Sequence, residues 1–172
     1  DFHLLEPLGI QQLVLVRFDR QLAQLSPAQF VQQVLLGTLQ ARHIAVGANF
    51  RFGRGREGGA DTLKDLAEAA GVRVSVLPIL EDPGGRMSSS RIREALAEGD
   101  LSTARDLLQR PYRFQGVVVQ GRGLGRQLGW PTANLQVDGR KFLPGLGVYA
   151  AMAWVDDDGP LPAVMNLGPQ PT

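Results

Sequence analysis

The chain has 172 residues and a net charge of +1, and 44% of its residues are apolar against 20% charged, which is typical of a globular protein of one or two domains. It has no cysteine and only two histidines, which excludes disulfides, thiolate chemistry, cysteine-bound zinc and a histidine metal cage. No stretch approaches the roughly eighteen apolar residues of a membrane span, and the small net charge does not favour nucleic acid, so we expect a cytoplasmic protein that binds neither membrane nor nucleic acid.

The first hundred residues alternate apolar runs with helical patterns, which predicts β-α-β units around a parallel sheet. The predicted strands are residues 13–16, 43–46 and 72–77. Ser26 is a predicted N-cap, because Pro27 suits the first helical position and Gln29 completes a capping box. Further helices are predicted after Asp61, after the serines at 88–90 and, following a stop at Gly99, after Asp100.

The pattern changes at Arg110-Pro111. Residues 112–120, 148–155 and 163–167 have the composition of short strands, glycine and proline crowd the connections, and no helical period is visible. This predicts an antiparallel sheet or barrel. We therefore predict one domain over residues 1–110 and a second over residues 111–172.

A glycine- and arginine-rich segment at residues 53–58 matches the G-x-G-x-x-G pattern. In dinucleotide-binding folds this pattern follows a strand at once and opens a helix. Here the predicted strand ends several residues earlier, which disfavours a dinucleotide-dependent oxidoreductase. Two interpretations remain, a surface loop and an arginine-bearing loop that closes over a polyphosphate.

Three consecutive serines, at positions 88–90, precede a helical pattern. Hydroxyls and free backbone N–H groups at the positive end of a helix form an anion site, although a single serine would suffice as an N-cap. Arg91 and Arg93 are two residues apart and cannot share a helix face. We therefore expect one of them to bind a ligand, and the other to make a structural contact or to face solvent.

Residues 121–134 combine many glycines with Thr132 and Asn134. Glycine lets the backbone approach a ligand closely, and threonine and asparagine offer neutral oxygens suited to a hard cation such as Mg²⁺. A flexible hairpin connection is the other interpretation. A nucleic-acid-binding module would need aromatic side chains for base stacking, and aromatics make up only 6% of the chain.

Together these motifs resemble the bacterial bifunctional riboflavin kinase/FMN adenylyltransferases, also called FAD synthetases. Residues 46–53 fit the family's Val-Gly-x-Asn/Asp-Phe-x-Phe-Gly, and residues 87–93 fit Ile-Ser-Ser-Thr-x-Ile-Arg with Met for Ile and Ser for Thr. Residues 121–134 fit Gly-Arg-x-x-Gly-Arg-x-Leu-Gly-Phe-Pro-Thr-Ala-Asn with Trp for Phe. The resemblance extends over almost the whole chain, in the family's order.

The resemblance implies an α/β fold, in which a Rossmann-like nucleotidyltransferase domain precedes a riboflavin-kinase antiparallel β-barrel, both incomplete. It implies a transferase that converts riboflavin to FMN and FMN to FAD, with ATP as co-substrate and Mg²⁺ as cofactor. In the adenylyltransferase domain, the residues implied to bind ATP and flavin are Asn49, Phe52, Gly53, Ser88, Ser89, Ser90, Arg91 and Arg93. In the kinase domain, the residues implied to bind ATP are Gly121, Arg122, Gly125, Arg126, Pro131, Thr132 and Asn134. Thr132 and Asn134 are also implied to hold Mg²⁺.

Two catalytic features of the family are absent from the sequence. The His-x-Gly-His motif would lie before Asp1, and the general-base glutamate of the kinase would lie after Thr172. We therefore assign no catalytic residue within this chain. We expect it to be an internal fragment of the bifunctional enzyme, inactive by itself and with a poorly closed barrel.

Overall fold

The computed structural model describes residues 4–121, 125, 129–130, 132–156 and 158–168. The chain divides into two compact units, Asp1–Leu80 and Glu81–Thr172, and each is considered by itself. Across the described residues, no helix is both long and apolar enough to cross a bilayer. The boundary that the sequence predicts near residue 110 stays a prediction.

The first unit is built on a parallel pair of strands, as the sequence predicts. Its elements in chain order are α1 (Arg20–Gln24), α2 (Pro27–Gln29), a π-helix (Phe30–Thr38), β1 (His43–Gly47), α3 (Ala60–Glu68) and β2 (Arg73–Leu77). Two single turns of 3-10 helix lie at Glu6–Leu8 and Arg54–Arg56. Because α3 lies between the two strands, the unit contains the crossover connection that parallel pairing requires.

The helix starts of the first unit follow local capping chemistry. The Ser26 hydroxyl accepts a hydrogen bond from the Gln29 N–H (3.2 Å), and the Gln29 side chain accepts one from the Ser26 N–H (2.9 Å), which confirms the predicted capping box. The prediction that Asp61 caps the next helix is wrong, because the helix begins at Ala60 with Gly59 as N-cap, two residues earlier than predicted. Asp61 instead lies in the first turn, where its negative charge suits the helix dipole.

The core of the first unit lies between α3, the π-helix and the sheet. Val31, Phe52, Leu63 and Ala67 are its buried members. The Phe52 ring packs against Phe50, with ring centroids 5.4 Å apart, and against Phe30, with centroids 5.5 Å apart. These aromatic contacts attach the loop after β1 to the core.

Residues 13–16 do not form the buried strand that their apolar run predicts. They pair with no strand in the part of the chain that the structure describes, and Leu15 is 87% exposed. Within the described residues, the parallel sheet consists of β1 and β2, and an apolar segment becomes a strand only where a neighbouring strand satisfies its backbone groups. The prediction for this segment is wrong for that reason.

The described residues of the second unit form three separate antiparallel strand pairs and a helical hairpin. Its elements are β3 (Glu81–Asp82), β4 (Gly85–Arg86), α4 (Ser89–Glu98), α5 (Leu101–Leu108), β5 (Gly116–Val119), β6 (Asn134–Val137), β7 (Gly147–Val155) and β8 (Asp158–Leu167). The pairs are β3–β4, β5–β6 and β7–β8. The described pairings do not close these sheets into a barrel, and the apolar side chains of Val117, Val148 and Val164 are exposed.

The helical hairpin of α4 and α5 has its own small core. Ala95, Leu96 and Ala104 are buried there. As predicted, α4 ends at Gly99, whose positive φ of 75° favours glycine. Asp100 caps α5 by accepting a hydrogen bond from the Thr103 N–H at 3.0 Å. The sequence therefore determines both ends of this turn.

Candidate functional site

The first group of predicted site residues follows β1. A tight turn begins there, because the Phe50 N–H donates to the Gly47 carbonyl (2.9 Å) and the Ala48 N–H donates to the Leu77 carbonyl at the end of β2 (2.8 Å). Asn49 lies on this turn with its side chain exposed. The turn is therefore at the carboxyl edge of the parallel strands, which is where α/β folds bind ligands.

Phe52 and Gly53 anchor the arginine-bearing loop to the first unit. Only 6% of Phe52 is exposed, so its ring supports the loop from the core side. Gly53 has a positive φ of 75°, and a Cβ there would lie 2.9 Å from the Pro27 nitrogen. The loop thus needs glycine at this position, both for its backbone conformation and for its close approach to the start of α2. The binding roles implied for Phe52 and Gly53 stay predictions.

The arginine-bearing loop closes on itself. The Phe52 N–H donates to the Gly58 carbonyl (3.1 Å), and the Gly58 N–H donates to the Phe52 carbonyl (3.0 Å). β1 ends at Gly47 and α3 begins at Ala60, so Gly53 neither follows the strand directly nor opens the helix. This is not the strand-turn-helix geometry of a dinucleotide fingerprint.

The serine motif forms the N-terminus of α4. The Ser88 hydroxyl accepts a hydrogen bond from the Arg91 N–H at 3.3 Å, as an N-cap does. Ser89 and Ser90 are exposed in the first turn. The N–H groups of a first turn have no acceptor within the helix, and the positive end of the helix dipole favours an anion. The motif therefore has the chemistry of a phosphate site.

The two arginines of this motif have different surroundings. The Arg91 guanidinium donates hydrogen bonds to the Asp82 carboxylate (2.7 Å), the Gly85 carbonyl (2.9 Å) and the Arg86 carbonyl (3.1 Å). The hydrogen bond from Arg91 holds the pKa of Asp82 below its usual value. Arg93 is exposed and makes no ion pair with any residue that the structure describes.

Two of the predicted kinase residues, Gly121 and Gly125, lie close to the side chains of two others, Asn134 and Thr132. A Cβ on Gly121 would overlap the side-chain amide of Asn134, and a Cβ on Gly125 would lie 3.1 Å from the Thr132 hydroxyl oxygen. The Trp130 N–H donates to the Gly125 carbonyl at 2.7 Å. Arg122, Arg126 and Pro131, which the sequence also predicts here, lie outside the described residues.

Thr132 and Asn134 offer a donor set that fits a magnesium ion bound together with phosphate. Thr132 is exposed and Asn134 is half-buried at the start of β6. No group of three or more His, Cys, Asp or Glu side chains occurs in the described part of the chain. Thr132 supplies a hydroxyl oxygen and Asn134 an amide oxygen. Mg²⁺ commonly takes few protein oxygens and completes its shell with water and substrate phosphates.

Asp82 contacts Arg91 of the serine motif, and the sequence analysis assigns it no role there. It lies on the β3–β4 hairpin, for which the sequence analysis predicts no strands. The Gly84 N–H donates to the Asp82 carboxylate at 2.9 Å. The turn residues Pro83, Gly84 and Gly85 are the signal that could have predicted a hairpin here.

Comparison with known proteins matches both parts of the chain to families. The FAD synthetase family model matches residues 2–91, and the riboflavin kinase family model matches residues 108–172. The bifunctional riboflavin kinase/FMN adenylyltransferase of Escherichia coli (strain K12) is 38% identical over 164 residues, which cover 95% of this chain and 52% of that protein. The protein of the same description from Pseudomonas fluorescens is 40% identical over 165 residues, again covering 95% and 52%.

A solved structure has a similar fold. It is described as a macrolide-efflux protein from Streptococcus pneumoniae, and it matches with a TM-score of 0.85 and 30% identity over 99% of this chain and 54% of that one. That description applies to the Streptococcus protein. The chain spans about half the length of the curated relatives it matches.

Proposed function

The chain belongs to the FAD synthetase family, and on this premise we propose that its protein is a transferase that phosphorylates riboflavin to FMN and then adenylylates FMN to FAD. The observation that carries the proposal is the presence of both family matches, in order, on one chain. The substrates are riboflavin, FMN and ATP. Because both reactions consume ATP, we propose that they take place in the cytoplasm. We also propose that the protein acts on these small molecules without nucleic acid or membrane.

The proposed domains are an adenylyltransferase over residues 1–110, with a Rossmann-like fold, and a riboflavin kinase over residues 111–172, with a β-barrel. The parallel pair of β1 and β2 supports the first, and the antiparallel pairs β5–β6 and β7–β8 support the second. The FAD synthetase match ends at residue 91 and the riboflavin kinase match begins at residue 108. Most of the helical hairpin of α4 and α5 lies between the two matched segments.

Adenylyl transfer would use the N-terminus of α4 to bind the ATP phosphates. The exposed Ser89 and Ser90 support this assignment, as does Arg93, which is exposed and in no ion pair with a described residue. A helix N-terminus and a guanidinium stabilise the negative charge that develops on a pyrophosphate leaving group. Asn49 would contact the nucleotide or flavin from the carboxyl edge of β1, with Phe52 and Gly53 shaping the loop behind it.

Phosphorylation of riboflavin would take place at the Gly121–Asn134 segment. The close approach of Gly121 to Asn134 and of Gly125 to Thr132 supports a compact turn around the ATP phosphates. Thr132 and Asn134 would hold Mg²⁺, and Arg122, Arg126 and Pro131 complete the proposed ATP site. The metal ion would neutralise charge on the transferred phosphoryl group, while the two side chains orient the phosphates.

The proposal is tested by following both products in one assay. The protein expressed from its complete coding sequence is incubated with riboflavin or FMN and Mg-ATP, and FMN and FAD are separated by chromatography. We expect Thr132→Ala to lower FMN formation, and Arg93→Ala to lower FAD formation from FMN, each by about a hundredfold. Lys64→Ala, an exposed position on α3, is the control.

Two outcomes would contradict the proposal. If the wild-type protein forms neither FMN nor FAD, the proposed function is wrong. If Thr132→Ala and Arg93→Ala both leave the two activities intact, the site assignments are wrong.

A further inference from the structure

The guanidinium of Arg91 is the centre of a small polar cluster on the second unit. A single nitrogen, Nη1, donates to the Asp82 carboxylate, the Gly85 carbonyl and the Arg86 carbonyl, at 2.7, 2.9 and 3.1 Å. The side chains of Arg91 and Asp82 are 26% and 31% exposed, so both are partly withdrawn from solvent. Such partly buried, charge-assisted hydrogen bonds are stronger than those between exposed ions.

The β3–β4 hairpin is shaped around this guanidinium. A Cβ on Gly84 would overlap the second terminal nitrogen of Arg91, so a larger residue at the turn would displace the guanidinium from its present position. The Gly84 N–H also donates to the Asp82 carboxylate, which places that carboxylate between the turn and the arginine. All three acceptors of Arg91 therefore belong to one hairpin.

The hairpin leads directly into the serine motif. β4 ends at Arg86, and the N-cap of α4 is Ser88. Arg91 is in the first turn of α4, and its own N–H donates to the Ser88 hydroxyl. The backbone of Arg91 thus completes the cap, while its side chain connects the hairpin to the helix.

We propose that Arg91 is a positioning residue, whose ion pair with Asp82 holds the β3–β4 hairpin against the N-terminus of α4 and keeps that terminus in place for the nucleotide phosphates. This inference rests on the proposed function of the α4 N-terminus. Arg91 does not itself bind phosphate, because the Asp82 carboxylate already neutralises its charge. Of Arg91 and Arg93, it is Arg93, exposed and without an ion pair in the described part of the chain, that is available to the ligand.

The connection between hairpin and helix is tested without any ligand. Hydrogen exchange of the backbone amides of residues 81–86 is measured in the wild-type chain, in Arg91→Met and in Asp82→Asn. We expect both variants to exchange about tenfold faster in this segment, because each removes the same ion pair. Amides of α3 serve as an internal control that the chain remains folded. Unchanged exchange in both variants would overturn the inference.

The positioning role is tested by the kinetics of adenylyl transfer in the protein from the complete coding sequence. We expect Arg91→Met, Asp82→Asn and the double variant each to raise the KM for ATP by about threefold to tenfold, with kcat within about twofold of wild type. The double variant should be no worse than either single variant, because both remove one interaction. Arg91→Lys should restore much of the loss, since one ammonium group can donate to the same three acceptors.

Direct phosphate binding by Arg91 would give a different pattern of ATP affinities in these variants. If Arg91→Met weakens ATP binding and Asp82→Asn does not, Arg91 binds phosphate directly and the inference is wrong. It is also wrong if the two losses multiply in the double variant. If the wild-type protein forms no FAD, the proposed function fails, and the exchange experiment then decides whether Arg91 holds the hairpin.

Discussion

The Gly145 N–H donates a hydrogen bond of 2.8 Å to the Leu96 carbonyl oxygen, which fastens the last turn of α4 to the residues that lead into β7. The Gly145 carbonyl in turn accepts a hydrogen bond of 2.5 Å from the Tyr149 hydroxyl. Both backbone groups of Gly145 are therefore engaged. Within the second unit, the helical hairpin and the β7–β8 pair are joined at this glycine.

Substitution of Gly145 should loosen this junction. A Cβ at Gly145 would overlap the Ala97 carbonyl oxygen, so we expect Gly145→Ala to lower the free energy of unfolding by about 1–3 kcal/mol. Gly139→Ala is the matched control, because nothing lies within 4 Å of a Cβ there, and it should change stability by less than about 0.5 kcal/mol. Urea denaturation measures both, and equal stabilities would contradict the prediction.

Substitution of Gly121 should affect one of the two proposed activities. A Cβ there would displace the Asn134 side chain, so we expect Gly121→Ala to raise the KM for ATP in riboflavin phosphorylation by about tenfold or more. FAD formation from FMN should stay unchanged and serves as the internal control. A parallel loss of both activities would indicate a general folding defect and contradict the prediction.

The Ser26 capping box should contribute measurably to the stability of the first unit. Ser26→Ala removes the acceptor for the Gln29 N–H, and we expect it to lower the free energy of unfolding by about 1 kcal/mol. Ser26→Gly should lower the free energy of unfolding by only a few tenths of a kcal/mol, because glycine is itself tolerated at N-caps. Thermal or urea unfolding of the two variants checks this order, and a reversed order would refute the capping role.

Because of the N-cap at Asp100, the free energy of unfolding should depend on pH in the acidic range. Hydrogen bonds from Thr103, and then from Ser102, lower the pKa of Asp100 from 3.8 to about 2. Because the folded-state pKa is the lower one, the charged carboxylate stabilises the fold fully above about pH 4, and this contribution is lost as the pH falls toward about 2. The stability difference between wild type and Asp100→Asn should therefore be constant from pH 7 to about pH 4.

Below about pH 4, the stability difference between wild type and Asp100→Asn should shrink, because both N-cap side chains are then uncharged. Urea unfolding of the two proteins at a series of pH values measures it. Asn is also a good N-cap, so the comparison isolates the charge of Asp100 rather than the loss of the cap. A difference that does not change with pH would contradict the prediction.

Much of the local structure could be predicted from the sequence, because it depends on neighbouring residues. Helix caps at Ser26 and Asp100 and the stop at Gly99 need only side chains within about four positions to act. The strands β1 and β2 follow from apolar runs between turn residues. Conversely, residues 13–16 have the same apolar character and form no strand, since a strand also needs a partner that the local pattern does not specify.

The sequence by itself determined the helix start after Ser26, the turn between α4 and α5, the change from parallel to antiparallel strands and the motifs of the candidate sites. Only the tertiary structure decided which of the two arginines after the serines is held by the protein, since Asp82 is nine positions from Arg91 and meets it only because the hairpin folds back. It likewise decided that Gly145 contacts Leu96. Such contacts join residues far apart in the chain, and they depend on backbone approach and burial, which composition and spacing do not encode.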